Sequence, residues 1–267
     1  MTDTQVTAAS LHALLENLID YAGFFPPASL PMDRALANYN AYRRGENAWM
    51  LGRFVVPFER VTEVPVDFPL SVLVAINDLP RLDHSIDVIE TSAANTNDVA
   101  AVAGAAGGRT VYVEVADTDL VKTLGRGGMR AKFRTGGLTQ AAIPAAERLA
   151  RFIRECAAER VPFKATGGLH HPVRCAKPLT YEPNAPIGTM HGFINVFMAA
   201  ALVGSADEEV LLETDPRAFT FGNDAASWRG HTATTAVLQR VRREFALSFG
   251  SCSFEEPIDD LKELGWL

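Results

Sequence analysis

The feature that most constrains the fold is a recurring alternation of short β-prone runs with helix-prone segments. Runs rich in β-branched and aromatic residues fall at 51–57, 70–76, 86–92, 110–116, 130–136, 162–168, 210–215 and 248–255. Helical patterns lie between several of them. Residues 97–106 are rich in Ala and Val and stop at Gly107-Gly108. Residues 144–160 put Leu149, Phe152, Ile153 and Cys156 on one stripe, and 191–203 are apolar nearly all round, as in a buried helix. Residues 224–245 and 258–264 close the chain, with Pro257 at the first helical position.

Alternation of this kind predicts a parallel sheet covered by helices, and this many units in 267 residues predict a (β/α)8 TIM-type barrel. An open doubly wound sheet ranks second, because no G-x-G-x-x-G follows an early strand. The joins after 51–57 and 70–76 are too short for regular crossovers, so the first half of the barrel is expected to be irregular. Residues 1–48 are expected to pack on the barrel as an N-terminal helical segment, two helices joined by Gly23-Phe24-Phe25-Pro26-Pro27. That apolar loop is expected to plug a barrel end in preference to serving a subunit interface. No linker divides the chain, so 1–267 is expected to be one barrel domain.

One internal echo points toward a site. Thr135-Gly136-Gly137-Leu138 recurs as Thr166-Gly167-Gly168-Leu169, about one β-plus-α unit later, and each copy sits where a strand should end. Gly136, Gly137, Gly167 and Gly168 there let backbone amides approach and cradle an anion, although glycines also serve tight turns. Charges inside strands are expensive unless paired or lining a wet site. The chain carries Arg53, Glu90, Glu114, Lys132, Arg134 and Lys164 at such positions. Alternation turns Glu114, Lys132 and Lys164 inward. Aligning the two glycine motifs sets Lys164 opposite Phe133, but barrel shear staggers neighbouring strands by about a residue, which lets both lysines point inward. Four cations against two carboxylates predict a positive cup suited to a carboxylate or phosphate substrate. The bland alternative is a structural ion-pair network of Glu114 with Lys132 or Arg134.

Composition narrows the partners. A net charge of −7 argues against nucleic acid and anionic membranes. No apolar run reaches membrane-span length, and the acidic N-terminus lacks a signal-peptide n-region. Three cysteines without a C-x-x-C pair make disulfides and thiolate zinc knuckles poor readings and a cytoplasmic location the expectation. The expected partner is a small anionic substrate; self-association into a homo-oligomer is compatible.

A barrel lysine beside another cation has its amine pKa lowered, which favours attack on a carbonyl. With Lys132 in AKFRTGG and Lys164 in FKATGG, residues 130–169 resemble the class I, Schiff-base aldolases on TIM-barrel scaffolds. The resemblance implies a carbon–carbon lyase needing no cofactor, with Lys164 forming the imine and Lys132 as its charge partner, or the roles exchanged. In this reading Arg134, Arg53 and the four glycines bind the anionic group, and Glu114 and His170 move protons. His170 is preferred to His171 because it stands nearer the strand end. The segments PFKATGGLHHP, MHGFIN and FGSCSFEEP are also similar to an uncharacterised bacterial family. Two alternatives stand beside the lyase. One is an isomerase or hydrolase holding a divalent metal ion with Glu90, Glu114, His170, His191 and Glu213, donors of the right type on successive strand ends. The other is a non-catalytic binding protein.

Overall fold

The computed structural model describes residues 7–267. After α1 (Ala9–Leu15), seven strands run in chain order: β1 (Ile19–Tyr21), β2 (Leu51–Pro57), β3 (Leu70–Leu73), β4 (Val88–Ala93), β5 (Thr110–Val115), β6 (Arg130–Arg134) and β7 (Phe163–Thr166). Two small antiparallel sheets interrupt the alternation: a hairpin of β8 (Cys175–Pro178) and β9 (Ile187–Met190), and a sheet of β10 (Phe219–Phe221), β11 (Ala225–Trp228) and β12 (His231–Thr234). β13 (Ala246–Ser251) then pairs in parallel with both β7 and β1 and closes an eight-stranded barrel. The fold is the TIM-type barrel that the alternation predicts.

Each strand sorts its residues by face. In β5, Val111, Val113 and Val115 are buried toward the helices, while Tyr112 and Glu114 turn into the barrel. The outward face of β6 gives Phe133, which stacks on Phe152 of α5 (Ala146–Ala158) at 4.5 Å; Phe152 in turn meets Phe163 of β7 edge-on at 5.3 Å. Each fully buried phenyl contributes roughly 1.5–3 kcal/mol, so this seam holds β6 and β7 together from outside. α6 (Phe193–Ala201) is buried almost all round, as expected, with Phe193 stacked on Phe249 of β13 at 5.3 Å. The barrel interior, by contrast, is polar and charged at mid-height.

The first half is irregular in the expected way. Where complete units carry helices such as α3 (Thr96–Ala105) and α4 (Val121–Arg126), β2 to β3 and β3 to β4 are bridged by short 3-10 segments, Phe58–Glu63 and Ile76–Arg81. Three expectations are corrected. Residues 210–215 form no strand: Val210 and Leu211 bury themselves from the one-and-a-half-turn helix α7 (Asp207–Leu212), and an apolar run this short has no period of its own. The eighth strand comes instead from the segment expected to be helical, where β1 lies between α1 and α2 (Met32–Tyr42). Three residues suffice because both edges pair, Ile19 with Phe249 and with Leu51. Residues 224–245 are helical only from α8 (Thr235–Glu244). Before it, β11 and β12 turn through Arg229 and Gly230, both at positive φ, and Thr234 caps the helix by accepting from the Val237 amide. The chain ends in α9 (Glu255–Glu263), with Pro257 in its first turn.

Candidate active site

The charged strand residues converge. Lys164 Nζ lies 2.6 Å from Asp20 Oδ2 and 2.6 Å from Glu90 Oε1. The other Glu90 oxygen is 2.7 Å from Lys132 Nζ, which also reaches Glu114 Oε2 at 3.2 Å. Arg134 holds Glu114 through two hydrogen bonds of 2.9 and 3.3 Å. The order Asp20, Lys164, Glu90, Lys132, Glu114, Arg134 alternates in sign. Hydroxyls complete it, Ser71 donating to Glu90 at 2.6 Å and Ser248 to Asp20 at 2.8 Å.

Register explains the convergence. Lys132 pairs with Lys164 and with Glu114 across the sheet, and Arg134 pairs with Thr166, so β6 and β7 sit one residue off the alignment of their glycine motifs. The expected conflict between Lys164 and Phe133 is removed by that stagger. Beyond the strands the two motifs touch backbone to backbone. The Thr135 amide donates to Thr166 O, and a Cβ on Gly136 would stand 2.9 Å from the Gly168 Cα. Gly167 and Gly168 both have positive φ. Gly136, Gly167 and Gly168 are therefore required by the close approach of two chain segments, and with Gly137 they also line the cavity above.

That cavity, of about 400 Å³, opens at the C-terminal ends of the strands. Glu90, Lys132 and Lys164 form its floor, Arg134 and the four glycines one side, and Phe25, Pro26, Pro27, Leu179 and Met190 an apolar wall. The Phe24 to Pro27 loop follows β1 and closes in on this mouth, as expected of a plug. Among the described residues no intramolecular hydrogen bond engages the amides of Gly136, Gly137, Gly167 or Gly168.

The electrostatics differ from expectation. Arg53 turns to the opposite end of the barrel, donating to Leu70 O, and Asp20 joins the network. Three carboxylates now balance three cations, so the cup is neutral, not positive. Burial would raise the Glu90 pKa, but the Lys132 and Lys164 ammonium groups overcome it and hold the carboxyl well below its ordinary value. Burial would lower the Lys164 pKa, but Asp20 and Glu90 reverse it and raise it. This is opposite to the lowering that a neighbouring cation was expected to impose. Glu114 is likewise lowered, burial being outweighed by Lys132 and Arg134.

Of the histidines, His170 lines the cavity and His171 does not. His170 Nδ1 is 2.9 Å from Glu256 Oε2, which also accepts from the Tyr181 hydroxyl at 2.9 Å. His171 Nδ1 is instead bound to Asp260 at 2.6 Å. The five residues of the metal reading do not assemble. His191 is buried with Nε2 on Pro144 O at 2.8 Å, and burial lowers its pKa. Glu213 is held by Trp228 and Arg229 outside the barrel. Glu90 and Glu114 are already neutralised by lysines. Among the described residues no three His, Cys, Asp or Glu side chains are grouped to hold a metal ion.

Sequence reasoning missed Asp20, Tyr112 and Glu256 as site residues. Asp20 was hidden in a three-residue strand. Tyr112 shares the inward face of β5 with Glu114 and sets its ring 5.3 Å from Lys164 Nζ, a contact that strand alternation alone does not reveal. Glu256 comes from α9, after the last strand, where no local pattern ties it to a histidine 86 residues earlier.

Compared with known proteins, the sequence matches no family model and no curated protein. Among solved structures, FabK from Thermotoga maritima aligns over 98% of this chain and 83% of its own, at 13% identity and a TM-score of 0.39. Its M276A mutant aligns over 62% of this chain and 59% of its own, at 16% identity and a TM-score of 0.38. The arginine decarboxylase of Paramecium bursaria Chlorella virus aligns over 75% and 61%, at 9% identity and a TM-score of 0.40. The chain thus spans less than two thirds of the mutant FabK and the decarboxylase. Likenesses of this strength carry no functional argument, and the barrel rests on its own strand order.

Proposed function

We propose that this chain is an aldolase-type carbon–carbon lyase that forms an imine between Lys132 and a small anionic carbonyl compound. The observation that carries the reading is the pair of buried lysines sharing Glu90 on the floor of a cavity at the C-terminal face, where barrel enzymes keep their chemistry. Stability does not account for such a network. Buried ion pairs are often no better than apolar residues of the same volume, and buried charges concentrate at working sites.

The roles of the two lysines are exchanged relative to the sequence expectation. Lys164 is held on two sides by carboxylates at 2.6 Å, with the Tyr112 ring as a further neighbour, and its proton is stabilised. Lys132 lies between Glu90 at 2.7 Å and the partly exposed Glu114 at the longer distance of 3.2 Å, and it lines the cavity. The Lys132 ammonium gives a proton to solvent in the cavity, and the neutral amine, positioned by Glu90 and Glu114, attacks the carbonyl carbon. A proton returned from solvent to the resulting hydroxyl releases water and leaves an iminium. His170, oriented by Glu256, removes the proton of the substrate's β-hydroxyl; the carbon–carbon bond breaks and its electron pair enters the iminium to give an enamine. An aldehyde leaves, the protonated His170 gives its proton to the enamine carbon, and water hydrolyses the imine to free the second product and the Lys132 amine. Arg134 and the unengaged glycine amides bind the anionic group, and the apolar wall excludes water.

Borohydride reduction in the presence of short oxo-acids and phosphorylated aldehydes tests this. One reduced adduct is expected on the peptide containing Lys132, and none in Lys132→Met. An adduct on Lys164 restores the original assignment. Failure of every carbonyl compound to give an adduct, with no small molecule raising the melting temperature, removes the lyase reading.

A further inference from the structure

The barrel has a second mouth. At the N-terminal ends of the strands, a cavity of about 330 Å³ is lined by Asn17, Asp20, Arg53, Tyr112, Arg130 and Ser248 among others. No residue lines both this cavity and the one described above. Its volume falls within the usual range for small-ligand sites.

Two half-buried arginines face this space without a counter-charge. Arg53 Nη1 donates to Leu70 O at 3.2 Å, and Arg130 Nη1 to the Tyr112 hydroxyl at 3.0 Å. Among the described residues, neither guanidinium has a carboxylate within ion-pair distance, and the Nε and Nη2 donors of both are unengaged. The one acid in the lining, Asp20, is already neutralised by Lys164 and further bonded by Ser248 and by the Arg53 amide. The mouth therefore holds two uncompensated positive charges in a protein of net charge −7. Half-burying a guanidinium without a partner is costly, and the planar fork of each arginine matches two phosphate oxygens at once.

We propose that the N-terminal mouth binds a phosphate group, either as inorganic phosphate or as the head of a small phosphate ester, between Arg53 and Arg130. This site stands independently of the imine reading. It also touches the catalytic floor from below. Asp20 spans from the Arg53 amide to Lys164 Nζ, and Tyr112 spans from Arg130 to the neighbourhood of Lys164 Nζ.

Titration calorimetry of the full chain with inorganic phosphate and with glycerol phosphate tests the proposal. Saturable binding is expected, weakened about tenfold or more by Arg53→Gln and by Arg130→Gln, as for loss of one charge-assisted contact. Arg134→Gln, at the other mouth, should leave the component of binding that depends on Arg53 and Arg130 unchanged. Tighter binding of the ester identifies an ester as the ligand class; equal binding identifies free phosphate. Absence of saturable binding, or binding lost in Arg134→Gln and kept in the Arg53 and Arg130 variants, overturns the proposal. Should the substitutions unfold the barrel, phenylglyoxal labelling of the unmutated chain decides. Phosphate is expected to protect Arg53 and Arg130 but not the exposed Arg217, and unchanged labelling of the first two overturns the site.

Discussion

Lys132 and Lys164 are register partners on adjacent strands, and the single carboxylate of Glu90 takes both ammonium groups, one on each oxygen. All three side chains are almost fully buried. Two positive charges that would repel each other are thus held at one point by a residue of β4, which only β5 separates from β6.

Removing that carboxylate strands two ammonium groups in the interior. Glu90→Ala should cost about 3–5 kcal/mol in urea unfolding, the range for breaking a buried ion pair by deleting one partner. A cost under about 1 kcal/mol would mean that water already screens the floor.

Stability should follow pH in a fixed sense. Glu90 has its folded pKa below its ordinary 4.5, so its contribution is complete above that pH and is lost as pH falls through the lower folded value. Lys164 has its folded pKa above 10.5, so its contribution is complete below that pH and is lost as pH rises through the higher folded value. The network therefore supports the fold between these ordinary values. The acid limb for one such carboxylate should approach about 1.4 kcal/mol per pH unit. Urea midpoints measured from pH 2 to 7 should show a limb that is shallower in Glu90→Gln.

Gly168→Ala adds a methyl group at positive φ, where it would stand 2.9 Å from the Gly136 Cα. Left-handed strain and the clash together should destabilise the fold by about 1–3 kcal/mol. Because the contact spaces the ends of β6 and β7, activity should fall by more than the loss of folded protein explains. Equal activity per folded molecule would show that the glycines serve only as turns.

The adjacent histidines should separate cleanly. His170→Asn should lower kcat by about 10²–10⁴-fold, as for loss of a general acid–base, with little change in melting temperature. His171→Asn should leave kcat in place, since that ring is bonded to Asp260 and does not line the cavity that Lys132 and Lys164 floor. The reverse pattern would reassign the base.

Much of this was legible in the sequence, for a physical reason. β5 announces itself because Val111, Val113 and Val115 alternate with Tyr112 and Glu114, and the stripe on α5 carries a helical period. Both patterns are local consequences of burying one face. The charged residues of β4 to β7 were legible because charge inside a strand is costly and needs an explanation. What escaped has no local signature. β1 is three residues long with an acid at its centre and is stable only because Phe249 and Leu51 flank it, almost 200 residues apart in sequence. Arg53 was misplaced because alternation gives the face of a strand but not its height, and height decides which mouth a side chain serves. The direction of the Lys164 pKa failed for the same reason as β1: it depends on Asp20.

The parallel pairing of β1 with β13 sets a condition on when this protein becomes competent. Asp20 and Lys164 are separated by 144 residues, and Ser248, which bonds to the same Asp20 oxygen, by 228. A nascent chain emerging from the ribosome has to keep the second charge partner of Lys164 waiting until β13 is made. Until the last strand docks, that lysine has Glu90 but an unclosed wall where Asp20 belongs. The proposed lyase activity is therefore expected to report completion of the ring, and separately expressed halves should show it only after reassembling across that seam.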